Sequence, residues 1–192
     1  DDLRPAMTGV FFELEKNGIT VVATDAHRLV RYKMKGVSCP KSDSFIVPKK
    51  PLNLLKASLP DNDDEITVSY NSNHLFVQHG TVHLSCRLLV ARLLYSEVVI
   101  PAENPYRMTI GRQDFQSALR RVSIFSNKST NLVTLNISGS ELQLMGQDVD
   151  FSFEGNERMS CQYDGEDIAI SFNARFLIEM LSSTDSDEVR LE

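Results

Sequence analysis

Apolar and polar residues alternate with period two along three long stretches: VFFELEKNGITVVATD (10–25), DEITVSYNSNHLFVQHGTVHLSCRL (64–88) and NLVTLNISGSELQLMGQDVDFSFE (131–154). Successive side chains of a strand point to opposite faces, so this pattern predicts half-buried β-strands. Turn residues at Asn17-Gly18, Asn71-Ser72-Asn73 and Ser138-Gly139 divide each stretch into two or more strands. Two other stretches carry helical spacing instead. GRQDFQSALRRVSIFS (111–126) sets Phe115, Leu119, Val122 and Phe125 on one stripe, and NARFLIEMLSS (173–183) does so with Phe176, Leu177 and Met180. KKPLNLLKASL (49–59) predicts a third helix after Pro48, with Pro51 in its first turn, where a missing N–H costs little. Strands and helices mixed in this way predict an α+β fold.

The two halves of the pattern match each other. Val10, Phe12, Leu14, Ile19, Val21 and Asp25 are followed 123 positions later by Val133, Leu135, Ile137, Leu142, Leu144 and Asp148. The same shift, taken without a gap, sets Phe45 and Val47 on Ile168 and Ile170, Leu54 and Leu55 on Leu177 and Ile178, and Asp64-Glu65-Ile66 on Asp187-Glu188-Val189. The expectation is two copies of one α+β unit, 1–101 and 102–192, with the boundary near Pro101–Pro105. The helix at 112–126 has no counterpart after residue 1, so the first copy is expected to lack its opening strand and helix. The second copy stops where the first continues, so it is expected to lack its closing strands. The opening DDLRPAM, without an initiator Met, reads the same way.

Composition narrows the classes. The chain has 192 residues, 42% hydrophobic and 24% charged, as in ordinary globular domains. No apolar run approaches the ~18 residues of a membrane helix, and no signal-peptide pattern is present. Cys39, Cys86 and Cys161 are scattered without CxxC spacing, which reads as reduced cytoplasmic thiols, neither a disulfide frame nor a zinc site. The net charge of −6 argues against a non-specific nucleic-acid coat. Acidic residues, however, gather in loops such as PDNDDE and STDSDE, while Lys49, Lys50, Lys56, Arg120, Arg121 and Lys128 fall on or beside helices. That asymmetry suits a protein that meets phosphate with one face only. The polar side of the 112–126 helix is expected to carry Gln116, Ser123 and Asn127 as well.

The candidate chemistry is concentrated in Thr24-Asp25-Ala26-His27-Arg28-Leu29, at the end of the strand ITVVA. Asp-x-His is a recurring metal-ligand spacing, because alternate strand-end side chains can converge on one ion. A hydrolytic site of the metallophosphoesterase kind needs further carboxylates and histidines; His74, His79 and His83 lie in another strand pair without an acidic companion. The repeat also divides the hexapeptide. Asp25 recurs as Asp148, which reads as a turn device, whereas His27 and Arg28 become Asp150 and Phe151. Met7, Leu29, Leu93, Leu94, Val98 and Val99 are apolar residues in or beside irregular segments, suited either to the core or to an apolar groove. P-loop, GxSxG, GxGxxG, kinase and zinc signatures are absent, and nothing nominates a nucleophile.

RPAMTGVFFE, VVATDAHRLVRYKM, FIVPKK and VVIPAENP, with LRRVSIFSNKS and ISFNARFLIEML in the second copy, together resemble the bacterial DNA polymerase III beta subunit family, the replicative sliding clamps. The resemblance runs through most of the chain. TD-(G/A)-HRL is its most specific motif, spaced from RPAMTG without a gap. It implies most of a middle and most of a C-terminal clamp domain, in a homodimeric ring with helices lining the hole and sheets outside. It further implies a non-catalytic, cofactor-free cytoplasmic accessory subunit of the polymerase holoenzyme that encircles duplex DNA without reading its sequence. The resemblance makes Lys49, Lys50, Lys56, Arg120, Arg121 and Lys128 the DNA-facing residues. It also implies a pocket for Leu/Phe motifs of the polymerase, the clamp loader and other polymerases or repair proteins. That pocket would use Arg4, Met7, Thr24, Ala26, His27, Arg28, Leu29, Leu94, Val98 and Val99, with Asn173 and Phe176. Burial of a few anchors at ~25 cal/mol per Å² leaves affinity near micromolar once association costs are met.

The chain departs from the family at Val90–Ser96, where Leu94 replaces an expected Pro and Ser96 an expected aromatic. By the resemblance, the family's C-terminal tail and first domain are expected to fall outside these 192 residues. A metallophosphoesterase-like enzyme using Asp25 and His27, and a stand-alone peptide-binding module, are the competing readings of the residues.

Overall fold

The computed structural model describes residues 5–62, 64–91, 99–101 and 103–192. The chain divides into two compact units, Asp1–Ser96 and Glu97–Glu192. Both are α+β, built from antiparallel sheets and short helices.

In the first unit a four-stranded sheet has the order β3-β2-β1-β4, from β1 (Gly9–Glu15), β2 (Gly18–Thr24), β3 (Leu29–Lys35) and β4 (Asp43–Pro48). β4 runs directly into α1 (Lys49–Ser58), and Pro51 lies in the first turn as expected. A second sheet follows, β5 (Thr67–Tyr70), β6 (His74–His79) and β7 (Val82–Arg87), with β6 central. Alternation turns Leu75, Val77 and Cys86 inward against Val47 and Leu88, while Leu52 and Leu55 pack on them from α1. Phe45 stacks on Phe12, at 5.6 Å, and meets the tilted ring of Tyr70 at 4.7 Å. Complete burial of one such side chain contributes about 1.5–3 kcal/mol, so this cluster holds helix and both sheets together.

The second unit opens with β8 (Arg107–Gly111) and α2 (Arg112–Val122), followed by a 3-10 turn at Ser123–Phe125. Its larger sheet, β11-β10-β9-β13, comprises β9 (Leu132–Ser138), β10 (Glu141–Asp148), β11 (Phe153–Ser160) and β13 (Ile168–Asn173). β12 (Gln162–Asp164) and β14 (Glu188–Leu191) flank β8 in a smaller sheet, and α3 (Ala174–Ser182) follows β13. Phe115, Ala118, Leu119 and Val122 of α2 are buried against Leu142 and Leu144. Backbone approaches backbone there: a Cβ on Gly146 would stand 2.5 Å from the carbonyl oxygen of Val122. Glycine is what lets the end of α2 lie flat on β10.

Three expectations about the helices are corrected. α2 ends at Val122, and Phe125, 40% exposed, belongs to the following turn, where its ring covers Gly155. Gln116 does not face solvent with Ser123; its amide donates to Ile178 O at 3.1 Å and Ser182 Oγ at 2.7 Å, tying α2 to α3. In α3 the buried residues are Ala174 and Leu181, with Leu177 and Ile178 packed beside them, and Met180 is 44% exposed. Aromatic and sulfur-containing side chains weighted the sequence pattern toward Phe176 and Met180, while the small Ala174 marks the close approach to the sheet.

The gapless repeat is corrected as well. The first hairpins match at 123, with Leu14 opposite Ile19 and Ile137 opposite Leu142. Beyond the next turn the shift is 125: β4 and α1 begin at Asp43 and Lys49, and β13 and α3 at Ile168 and Ala174. The cause is local. Asp25 N donates to Arg28 O, leaving only Ala26 and His27 between them, whereas Asp148 pairs with Phe153 across four residues. Val47 therefore matches Phe172, and Leu52 matches Leu177 inside each core. Asp187–Val189 run into β14, whereas Asp64–Ile66 precede β5. A slip of two residues leaves every strand side chain on its original face, which makes it invisible to an alternation pattern.

Candidate functional site

The hexapeptide 24–29 joins β2 to β3, with Thr24 opposite Leu29 at its base. Thr24 Oγ1 donates to Arg28 O at 2.8 Å and accepts from Ala26 N at 3.2 Å. Asp25 Oδ1 accepts from His27 N at 3.1 Å and Arg28 N at 3.0 Å, while Oδ2 accepts from Arg28 Nε at 3.0 Å. Slight burial pushes the Asp25 carboxyl up, but these donors from Arg28 and His27 outweigh it and hold it below its ordinary value. Ala26 takes a φ of +75°, a left-handed conformation that L-residues adopt at a cost. His27 is exposed, and Arg28 and Leu29 are half-buried.

This geometry disposes of the Asp-x-His metal reading. Asp25 spends both carboxylate oxygens on the turn, and what it takes from His27 is the backbone N–H. Among the described residues no group of three or more His, Cys, Asp or Glu could hold a metal ion. Asp148 does the same work in the second unit, accepting from Asp150 N at 3.1 Å. The three cysteines are buried free thiols, and burial pushes Cys86 and Cys161 up.

The other expected docking residues are distributed as follows. Met7 is half-buried in a 3-10 turn at Pro5–Thr8. Val99 is 59% exposed. In the second unit Asn173 is the N-cap of α3: its Oδ1 accepts from Arg175 N and Phe176 N, and its Nδ2 donates to Thr130 O at 3.0 Å. It therefore fixes the start of the helix that carries the half-buried Phe176. Arg4, Leu94 and Val98, with the atypical 92–96 stretch, lie outside the described residues. Within each unit the structure gathers Thr24–Leu29 into one turn and Asn173 with Phe176 at one helix start, while Met7 stands on a separate turn.

The six cations are not equivalent. Lys49, Lys50 and Lys56 are exposed on α1; Lys50 lies opposite the stripe of Leu52 and Leu55, while Lys49 and Lys56, two turns apart, share a stripe that flanks it. Arg120 is exposed on α2. Arg121 forms a two-pronged ion pair with Glu157 of β11, Nε to Oε2 at 3.0 Å and Nη2 to Oε1. Lys128 Nζ donates to Ile124 O at 3.2 Å, closing the turn after α2. Sequence reasoning missed Glu157, because a partner 36 residues away leaves no local signal.

The fold of the two units is shared with solved sliding clamps. The DNA polymerase III subunit beta of Pseudomonas aeruginosa matches 99% of this chain and 52% of its own, with a TM-score of 0.93 at 24% identity. A DNA polymerase III beta subunit structure from Eubacterium rectale matches at a TM-score of 0.92 and 23% identity, over 99% of this chain and 52% of its own. The chain belongs to the DNA polymerase III beta subunit family: residues 1–93 match its central domain and residues 97–192 its C-terminal domain. The beta sliding clamp of Staphylococcus epidermidis is 27% identical over all 192 residues, and that of Staphylococcus aureus 26%. The chain spans about half the length, 51%, of these curated relatives.

Proposed function

We propose that this chain is part of a processivity clamp, a non-catalytic ring that encircles duplex DNA and tethers the replicative polymerase to it. The carrying observation is that both units match, in order, consecutive domains of one clamp family. The charge pattern supports the reading. A closed ring holds DNA topologically, so the lysines of α1 and Arg120 need only weak, sequence-blind phosphate contacts that permit sliding. The overall charge of −6 then keeps most of the remaining surface off duplex DNA.

Partners such as the polymerase subunit, the clamp loader and repair polymerases dock through short Leu/Phe motifs. The family resemblance assigns this docking to Arg4, Met7, Thr24 and Ala26–Leu29 of the first unit, to Leu94, Val98 and Val99, and to Asn173 and Phe176 of the second unit. Ring closure with a second copy is supported by the unpaired edge of β11 and the apolar side chains beside it: Ile124 is 65%, Phe125 40%, Phe151 70% and Phe153 58% exposed. A peptide-binding module without a DNA role is the weaker reading, since it leaves the basic α1 face unused.

The test loads the intact parent protein on closed circular duplex DNA. Retention until the circle is cut supports a ring, and immediate loss from intact circles at low salt overturns it. A Leu/Phe peptide titrated onto wild type and Leu29→Asp tests docking: unchanged affinity in the variant removes the turn from the site.

A further inference from the structure

The outward face of the second sheet of the first unit has a composition unlike the rest of the surface. Ile66–Ala91 contains no Asp or Glu, in a chain with 26 of them, and holds three of the four histidines. Register arranges its outward-facing side chains, half-buried His74 among them, in rows across the three strands. Thr67, Gln78 and His83 form one row, Ser69, Phe76 and Ser85 the next, and His74 with Arg87 the third. Phe76 is therefore the centre of a flat grid of hydroxyl, amide, imidazole and guanidinium groups, and it is 42% exposed although its neighbours Leu75 and Val77 are core. The turn that sets this register is built by Asn71, whose Oδ1 accepts from Asn73 N and His74 N. The His74 and Phe76 rings lie side by side on one strand, 6.2 Å between centroids. A dent of about 180 Å³ lies among Thr67, Ser69, Phe76, Gln78, His83 and Ser85.

We infer that this sheet face binds single-stranded nucleic acid, one base stacking on Phe76 and the next on His74, with Arg87 toward the phosphates. The dent is smaller than the roughly 300–1,000 Å³ of a small-molecule pocket, yet it offers a planar apolar floor with hydrogen-bonding walls, as a single base requires. Aromatic rings presented on an antiparallel sheet accept any base by its π-face, while hydroxyl and amide groups can both donate to and accept from base edges. Charge complementarity favours a polyanion, because Ile66–Ala91 carries no carboxylate, Asp64 meets His79 Nε2 at 3.6 Å at the end of β6, and Arg87 attracts phosphate. The site is separate from the lysines of α1, so it goes beyond the clamp reading and does not depend on it.

Fluorescence anisotropy of a labelled oligothymidylate about a dozen nucleotides long, at low salt, tests the inference. Wild type binds; Phe76→Ala weakens binding about tenfold, the effect of losing one stacked base. Arg87→Ala weakens it and reduces the salt slope by about one. Phe76→Leu keeps apolar volume without a ring and also loses affinity, so a folding defect in Phe76→Ala does not decide the matter. The combined Lys49→Ala, Lys50→Ala, Lys56→Ala variant weakens binding of a labelled duplex more than binding of the oligothymidylate. No binding by wild type, unchanged binding in Phe76→Leu, or loss confined to the lysine variant overturns the inference. Equal competition by polyglutamate also overturns it, assigning the face to acidic peptides.

Discussion

The Arg121 guanidinium is held by both carboxylate oxygens of Glu157, joining the last turn of α2 to the middle of β11. A planar fork meeting a planar carboxylate gives two charge-assisted bonds and fixes orientation, which a lysine could not match. The same pairing offsets the positive charge locally. Arg120, one residue away, is exposed on the same helix and keeps its charge for outside ligands. Arg120→Ala is expected to weaken duplex binding and lower the salt slope by about one, whereas Arg121→Ala changes the slope little and lowers the melting temperature. Salt-titrated DNA binding, read beside thermal melts, separates the two.

Acid should loosen the two units through different carboxylates. The hydrogen bonds from Arg121 outweigh slight burial and hold Glu157 below its ordinary value of 4.5; Asp25 is held below 3.8 in the first unit. A carboxyl whose folded value is depressed contributes stability that is present above its unfolded value. That contribution is lost as pH falls through the folded value. The losses therefore begin below about pH 4.5 for Glu157 and about pH 3.8 for Asp25. Glu157→Gln is expected to flatten the acid limb of the melting curve for 97–192 while leaving the first unit's limb unchanged. An unaltered limb in Glu157→Gln removes that residue from the acid response.

Ala26 holds a φ of +75° within a turn otherwise secured by Asp25 and Thr24. Left-handed backbone costs an L-residue about 1–2 kcal/mol, and glycine's larger unfolded-state entropy returns about half of that gain. Ala26→Gly should therefore stabilise the first unit by up to about 1 kcal/mol in urea unfolding. A β-branched residue at 26 should do the reverse.

A methyl group at Gly146 meets the Val122 carbonyl rather than a yielding side chain. Gly146→Ala should cost about 1–3 kcal/mol, the usual range for overpacking, by lifting the end of α2 from β10. Denaturant melts of the variant measure the loss, and α2 amides should exchange faster with solvent.

Period-two alternation made the hairpins of both units legible, and helical spacing identified α1, α2 and α3. The parts that escaped have physical reasons. Arg121–Glu157 and Gln116–Ser182 are long-range pairings, which leave no periodic trace. Phe125 shares the stripe of α2 by spacing, yet the helix ends before it. Asp25 was recognisable as a turn device because its twin Asp148 survived the change at 27 and 28. Ala26's left-handed backbone was not, since alanine carries none of glycine's warning.

The unequal turns of the two units, two residues between Asp25 and Arg28 and four between Asp148 and Phe153, imply a parity rule. An odd shift of register after this bend would turn Phe45 and Val47 of the first unit, or Ile168 and Phe172 of the second, away from their cores. Even changes pass unnoticed by the sheet. The bend is thus free to acquire or lose residues in pairs, and the two units could come to carry turns of different length and chemistry there.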